Sequence, residues 1–190
     1  MKTGLILFVA VLAGMASPMV AAPAHYVLEP ANSTVGFATD FGKDQITGQM
    51  PITEADLTLD FASIANCKVA VTLDASGAEA SFPFAAQAMK GPKVLDTGNH
   101  PQITFQSTSV KAAGKGAKVS GWLTIRGTRQ PVVLDAQIYR QKGTEAGDLS
   151  HLSIRLTGAV LRSSYGATGW ADMVGDEVRL DILARIARVD

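Results

Sequence analysis

The side chains able to do chemistry in this chain are few, and their spacing keeps them apart. The three histidines, His25, His100 and His151, share neither an H-x-H nor an H-E-x-x-H spacing. They do not offer the converging ligands a zinc ion needs, and each reads as an isolated loop or strand-end residue. Asp172, Asp176 and Glu177 crowd together but lack EF-hand spacing and read as a solvated turn. No serine sits in a G-x-S-x-G, the sharp turn that exposes a hydrolase nucleophile. No glycine-rich nucleotide loop is present. Cys67, the only cysteine, has no internal disulfide partner; beside an apolar strand it reads as a small buried hydrophobe. Scattered Asp/Glu pairs single out no acid–base couple. The chain therefore reads as a non-enzyme without a metal site, a catalytic residue or a cofactor.

What remains is apolar and aromatic. Phe37, Phe41, Phe82, Phe84, Met89, Phe105, Tyr165 and Trp170 are the candidates for lining a pocket with apolar walls and a few polar groups at one end. Tyr165 and Trp170 lie in a glycine-rich connection and are expected at the rim. Arg126, Arg129 and Arg162 flank turns. They could meet a polar head group, although solvation at the surface is the simpler state for each.

The elements that must position these residues alternate apolar and polar, the period of a half-buried strand. Val69, Val71 and Leu73 share one face; Val119, Gly121, Leu123 and Ile125 share another. Leu152, Ile154 and Leu156, then Val178, Leu180, Ile182 and Ala184, repeat the pattern. Further strands are expected around Val35–Phe41, Gln45–Met50, Leu57–Phe61, Ile103–Thr108 and Val132–Ile138. Glycine-rich turns separate many of them, including Gly127-Thr128. Pro83–Lys90, followed by Gly91-Pro92, has the proline start and glycine stop of a short helix, expected near residues 83–91. Strands with one apolar face each require two sheets or one closed sheet. Pattern alone does not choose between them.

The N-terminus sets the compartment. Lys2, the apolar run Leu5–Ala13 and Ala22-Pro23-Ala24 have the order of a secretory signal peptide, with residues 1–24 removed and His25 first. The run is shorter than the about 20 apolar residues a spanning helix needs. Residues 25–190 are then one domain, large enough to bury a core without disulfides. Lys+Arg and Asp+Glu both number 17, so no basic excess points to nucleic acid.

Several segments together resemble the YceI-like family. Tyr26–Pro30 and Ser33–Phe37 look like its opening strand, and Ile46-Thr47-Gly48 like its next element. Lys90–Phe105, KGPKVLDTGNHPQITF, resembles the stretch ending in an aspartate, a proline and an x-F strand. Gly121–Leu134, GWLTIRGTRQPVVL, is similar to the G-x-L-T-[IL]-x-G-x-x-x-P-V-x-L segment, the most specific match. Leu161–Gly166 resembles R-S-x-[FY]-G. There are departures: Phe41 stands where many members carry a histidine, Ser76–Glu79 loosens an S-v-x-T, and Val94 replaces an aromatic. They remove polar groups near the pocket and leave the head group open.

The resemblance implies an all-β, lipocalin-like antiparallel barrel of about eight strands, a size whose interior is filled or holds one small ligand. It further implies a periplasmic protein, associated with stress responses, that binds an isoprenoid quinone or polyprenyl phosphate in the barrel. The partner expected is thus an isoprenoid lipid, with no transmembrane segment in the mature chain and homodimerisation left open. The alternatives are an enzyme acting on a barrel-bound lipid or small molecule, and a filled barrel serving a membrane redox partner.

Overall fold

The computed structural model describes residues 23–141, 143–145 and 147–189. Nearly all of the signal-peptide reading falls outside these residues. The described part is built from β1 (Ala24–Leu28), β2 (Thr34–Phe41), β3 (Asp44–Met50), β4 (Ile52–Leu59), β5 (Lys68–Asp74), β6 (Glu79–Ala80), α1 (Pro83–Lys90), β7 (Gln102–Ala113), β8 (Gly116–Ile125), β9 (Thr128–Arg140), β10 (His151–Leu161) and β11 (Val174–Val189).

These segments form one closed antiparallel barrel of eight staves. β1 and β2 are two halves of one stave, interrupted by a 3-10 turn at Pro30–Asn32. Both halves pair with β11, β1 with Ile186–Val189 and β2 with Val174–Leu183. β3 and β4 form the next stave, pairing with β2 and β1 respectively. Pro51 breaks this stave because it has no N–H to give a ladder. Staves β5, β7, β8, β9, β10 and β11 follow in sequence, and the β1–β11 pairing closes the ring. β6 adds two residues to the free edge of β3, at Gly48 and Gln49.

Alternation decides which face looks inward, and two irregularities adjust it. A bulge between Ser107 and Ser109 in β7 moves the inward set from Ile103 and Phe105 to Val110 and Ala112. The Ser107 hydroxyl accepts the Val69 N–H there at 2.9 Å. In β11 the register shifts between Val174 and Val178. The Thr39 hydroxyl fills that irregularity, lying 3.1 Å from the Gly175 carbonyl and 2.9 Å from that of Glu177. The β8–β9 turn consists of Arg126 and Gly127, at φ 51° and 71°, one residue earlier than the expected Gly127-Thr128. Two consecutive positive φ values suit the right-handed twist of a tight hairpin.

One end of the barrel carries the β2–β3 turn, α1 with the following loop, the β8–β9 turn and the 162–173 connection. We call it the helical end. The opposite end carries a second 3-10 turn at Ile64–Asn66, the β7–β8 turn and the chain termini of the ring. At that opposite end Leu152 and Ile186, the largest fully buried side chains among the described residues, have Tyr26, Leu57 and Leu59 around them. β11 has 16 residues; at about 3.3 Å each it is about 50 Å long. Tilted as strands are in such barrels, it makes a wall about 40 Å tall.

Candidate functional site

The barrel is not filled by its side chains. A cavity of about 840 Å³ runs through it, bounded by residues of nearly every stave and of α1. This lies in the upper part of the about 300–1,000 Å³ typical of ligand sites. Inward-facing Val69, Val71, Leu73, Leu156, Leu180 and Ile182 remain partly accessible because they face this space rather than one another.

Its walls are apolar almost throughout. Most of the lining is Leu, Ile, Val, Ala, Met and Phe; apart from the methionine thioethers, the side chains bearing O, N or S are Thr39, Cys67, Lys115, Arg162, Tyr165 and Trp170. Thr39 is already committed to two carbonyls in the wall. Lys115 stands exposed on the β7–β8 turn, at the end opposite the helix. Among the described residues no three His, Cys, Asp or Glu side chains group together to hold a metal ion.

All eight residues singled out from the sequence border this one cavity, in different ways. Phe37 and Phe105 lie flat against the wall. A Cβ on Gly48, the cross-strand partner of Phe37, would fall 2.3 Å from the Phe37 ring. A Cβ on Gly121 would fall 2.5 Å from the Phe105 ring and 2.6 Å from the Gln106 carbonyl oxygen. Each ring thus occupies the space over a neighbouring glycine, and the lumen beside it stays open. Phe105 sits at the waist, packed against both the helical-end cluster and the Val110–Val119–Ala136 cluster.

Phe82, Phe84 and Met89 come from α1 and its entry. Proline at the first turn and Gly91 at the C-cap delimit this helix as the sequence led us to expect. Phe84 is 85% exposed, so it stands at the cavity's outer lip. Phe41 lies at the same end, and Trp170, at φ 52°, forms part of the exposed rim there. Tyr165 is not at the rim: only 2% of it is exposed, and it packs with Leu95, Ile103, Leu123 and Leu134 inside the helical end.

The three arginines differ. Arg129 lies over the outward-facing Trp122 ring at 5.0 Å, away from the lumen. Arg126 donates to the Gly166 and Pro92 carbonyls, tying the hairpin to two loops. Arg162 overturns the expectation of a solvated side chain, being 8% exposed. Its Nε donates to Gly175 O at 2.8 Å and its Nη2 to Val174 O at 2.9 Å. Its Nη1 donates to Ala167 O at 2.7 Å and Gly169 O at 2.8 Å. The buried charge is met by four oriented carbonyls, which fixes the whole β10–β11 connection. Ser163 adds to this: its N–H and hydroxyl both bond Asp176, at 2.8 and 2.7 Å. Those bonds from Ser163 hold the Asp176 carboxyl below the usual carboxylate range, with the Arg162 charge a smaller contribution. Gly166, at φ 74°, ends the turn in the left-handed region that favours glycine.

The histidines do not converge. His151 faces Glu29 at 3.4 Å, His25 faces Thr58, and the His100 ring lies over Gly127. Sequence reasoning missed Cys67, Leu123, Leu134 and Leu156 as cavity residues, although their strand alternation carried the signal.

The family model of the YceI-like domain matches residues 26–186. The chain belongs to the YceI-like family. Among curated relatives, protein YceI of Escherichia coli is 29% identical over 118 residues, 60% of this chain and 62% of that protein. A UPF0312 protein of Shewanella oneidensis is 30% identical over 128 residues, 65% of this chain and 67% of that one. The matches thus span roughly two thirds of those relatives. Among solved structures, BcnA of Burkholderia cenocepacia has a TM-score of 0.74 at 19% identity, covering 84% of this chain and 99% of that one. A domain from Saccharophagus degradans described as polyisoprenoid binding has a TM-score of 0.61 at 12% identity, covering 87% and 99%. These likenesses show that the YceI-like barrel is a shared fold.

Cys67 offers a direct probe of this YceI-like lumen. It is half-buried rather than buried, its sulfur 3.3 Å from the Asp60 N–H, and it borders the cavity at the end opposite the helix. A small neutral maleimide should label it slowly in the empty protein, and an apolar ligand filling the lumen should slow labelling further. Equal rates with and without ligand would show that the cavity is not where ligand binds.

Proposed function

We propose that this YceI-like protein binds a long-chain isoprenoid lipid, an isoprenoid quinone or a polyprenyl phosphate, inside its barrel. It does so in the periplasm after removal of the signal peptide, and not as an enzyme. The observation that carries this reading is the apolar cavity of about 840 Å³. A long hydrocarbon buried there gains about 25 cal/mol for each Å² of apolar surface removed from water, before the cost of ordering the chain. The naming of the Saccharophagus degradans domain as polyisoprenoid binding supports the ligand class. The open lumen disfavours a filled interaction barrel. The cavity's polar groups, spread from Lys115 to Arg162, disfavour an enzyme because none forms a nucleophile–base pair.

The test joins extraction to a cavity-filling variant. Organic extracts of protein purified from its native host should contain an isoprenoid lipid by mass spectrometry. Val71 faces the lumen from β5, opposite Phe105, so Val71→Phe adds volume to open space. Overpacking a filled core costs about 1–3 kcal/mol; here the melting temperature should hold while lipid yield falls. Strong destabilisation with no lipid in the wild-type extract would refute the binding reading.

A further inference from the structure

Among the described lining residues of the helical end, the polar groups of Tyr165 and Trp170 have no task in the wall, and of the two only Tyr165 is buried, Trp170 being 41% exposed. The Tyr165 ring is 2% exposed and borders the cavity. Among the described residues its hydroxyl makes no hydrogen bond, whereas its neighbour Ser163 uses both its N–H and its hydroxyl and Arg162 uses four of its five N–H groups. Nor is that oxygen sealed within the packing: the only sealed, unpaired side-chain polar atom among the described residues is Nε2 of Gln141. The Tyr165 oxygen therefore opens onto accessible space. Buried tyrosine hydroxyls ordinarily find a partner, since leaving one unmade is costly.

We infer that the Tyr165 hydroxyl is the hydrogen-bond donor for the polar end of the bound lipid, and that this end is a neutral carbonyl rather than a phosphate. The inference rests on the lipid-binding reading and adds an orientation and a head-group class. Burial pushes the Tyr165 hydroxyl above its ordinary pKa, which keeps it a neutral donor. A phosphate at this position would bring negative charge into an apolar chamber, which is costly without paired cations. Among the described residues Arg162 is the only cation bordering the helical end of the cavity, and four of its five N–H groups already donate to backbone carbonyls. Lys115 stands at the other end, too far to serve the same head group. A carbonyl needs only one donor, and Tyr165 supplies one. Quinone rings and long-chain amides share this chemistry.

The experiment compares wild type with Tyr165→Phe, using four probes: a polyisoprenyl benzoquinone, a long-chain fatty amide, a polyprenyl phosphate and squalene, which has no head group. Loss of one neutral hydrogen bond should weaken the preferred carbonyl probe by about five- to tenfold. Squalene and the phosphate should be unaffected, and the melting temperature should stay level or rise. The infrared carbonyl stretch of the bound probe should sit lower in wild type than in Tyr165→Phe. Which carbonyl probe responds separates quinone from amide. Equal affinities in both proteins, or weakening of all probes alike, would overturn this role for Tyr165 and leave lipid binding standing. If wild type bound none of the four probes, the lipid-binding reading and this one would fall together.

Discussion

Arg162→Met should be the most destabilising conservative-volume change in the molecule, lowering unfolding free energy by about 3–5 kcal/mol. Methionine fills much of the same space but donates nothing. Four carbonyls, those of Ala167, Gly169, Val174 and Gly175, lose the guanidinium at once, and only that of Gly175 keeps the Thr39 hydroxyl nearby. Ala167 and Gly169 lie in the connection that carries Tyr165 and Trp170, and Val174 and Gly175 begin β11. The loss therefore strikes both the packing of the helical end and the start of the strand that closes the ring. Urea denaturation of the two proteins measures it. A midpoint within error of wild type would mean that water replaces the guanidinium without cost, and that the clamp is dispensable. Arg162→Lys should recover little, because one ammonium cannot reproduce a planar fork reaching four acceptors.

Gly121→Ala should have the largest effect on ligand capacity. The added Cβ meets the Phe105 ring and the Gln106 carbonyl oxygen. The backbone oxygen cannot yield as a side-chain tip can, so the ring must turn toward the lumen. The strain is of the overpacking kind, about 1–3 kcal/mol. Because Phe105 stands at the waist, its displaced ring would divide the cavity into two chambers. Binding of a long isoprenoid should fall by at least about tenfold, equivalent to 1.4 kcal/mol, while a short apolar probe that fits one chamber is retained. Adding Phe105→Leu should restore the long ligand. Undiminished binding of the long probe by Gly121→Ala would show that the waist is wider than the wall geometry indicates.

Much of this architecture is legible in the residues. Alternation gave the inward faces of β5, β8, β10 and β11, and Pro83 with Gly91 bracketed α1. Two kinds of feature were not legible. The first is continuity: that β1 with β2, and β3 with β4, are single bent staves depends on pairing with β11 and with each other. β6 was missed because two residues show no period. The second is environment. Arginine suggests solvent, and only the carbonyls gathered around Arg162 reveal its burial. A glycine in a strand suggests a bulge or a close approach; that Gly121 makes room for Phe105 is a relation between strands. Whether the lumen was open or filled hung on such relations. The aromatic candidates border one cavity, but Tyr165 lies within it rather than at its rim.

The bond between β1 and β11 joins the two strands farthest apart in the chain, and β11 is also the partner of β2 and β10. No subset of the earlier strands can complete the ring. Until β11 arrives, β1, β2 and β10 each present an unpaired edge able to recruit a strand from another molecule. Closure of so distant a pair is entropically slow, in the millisecond-to-second regime of proteins dominated by non-local pairings. The same closure that encloses the lumen thus makes β11, the last stave of the ring to be synthesised, the one that decides between folding and aggregation.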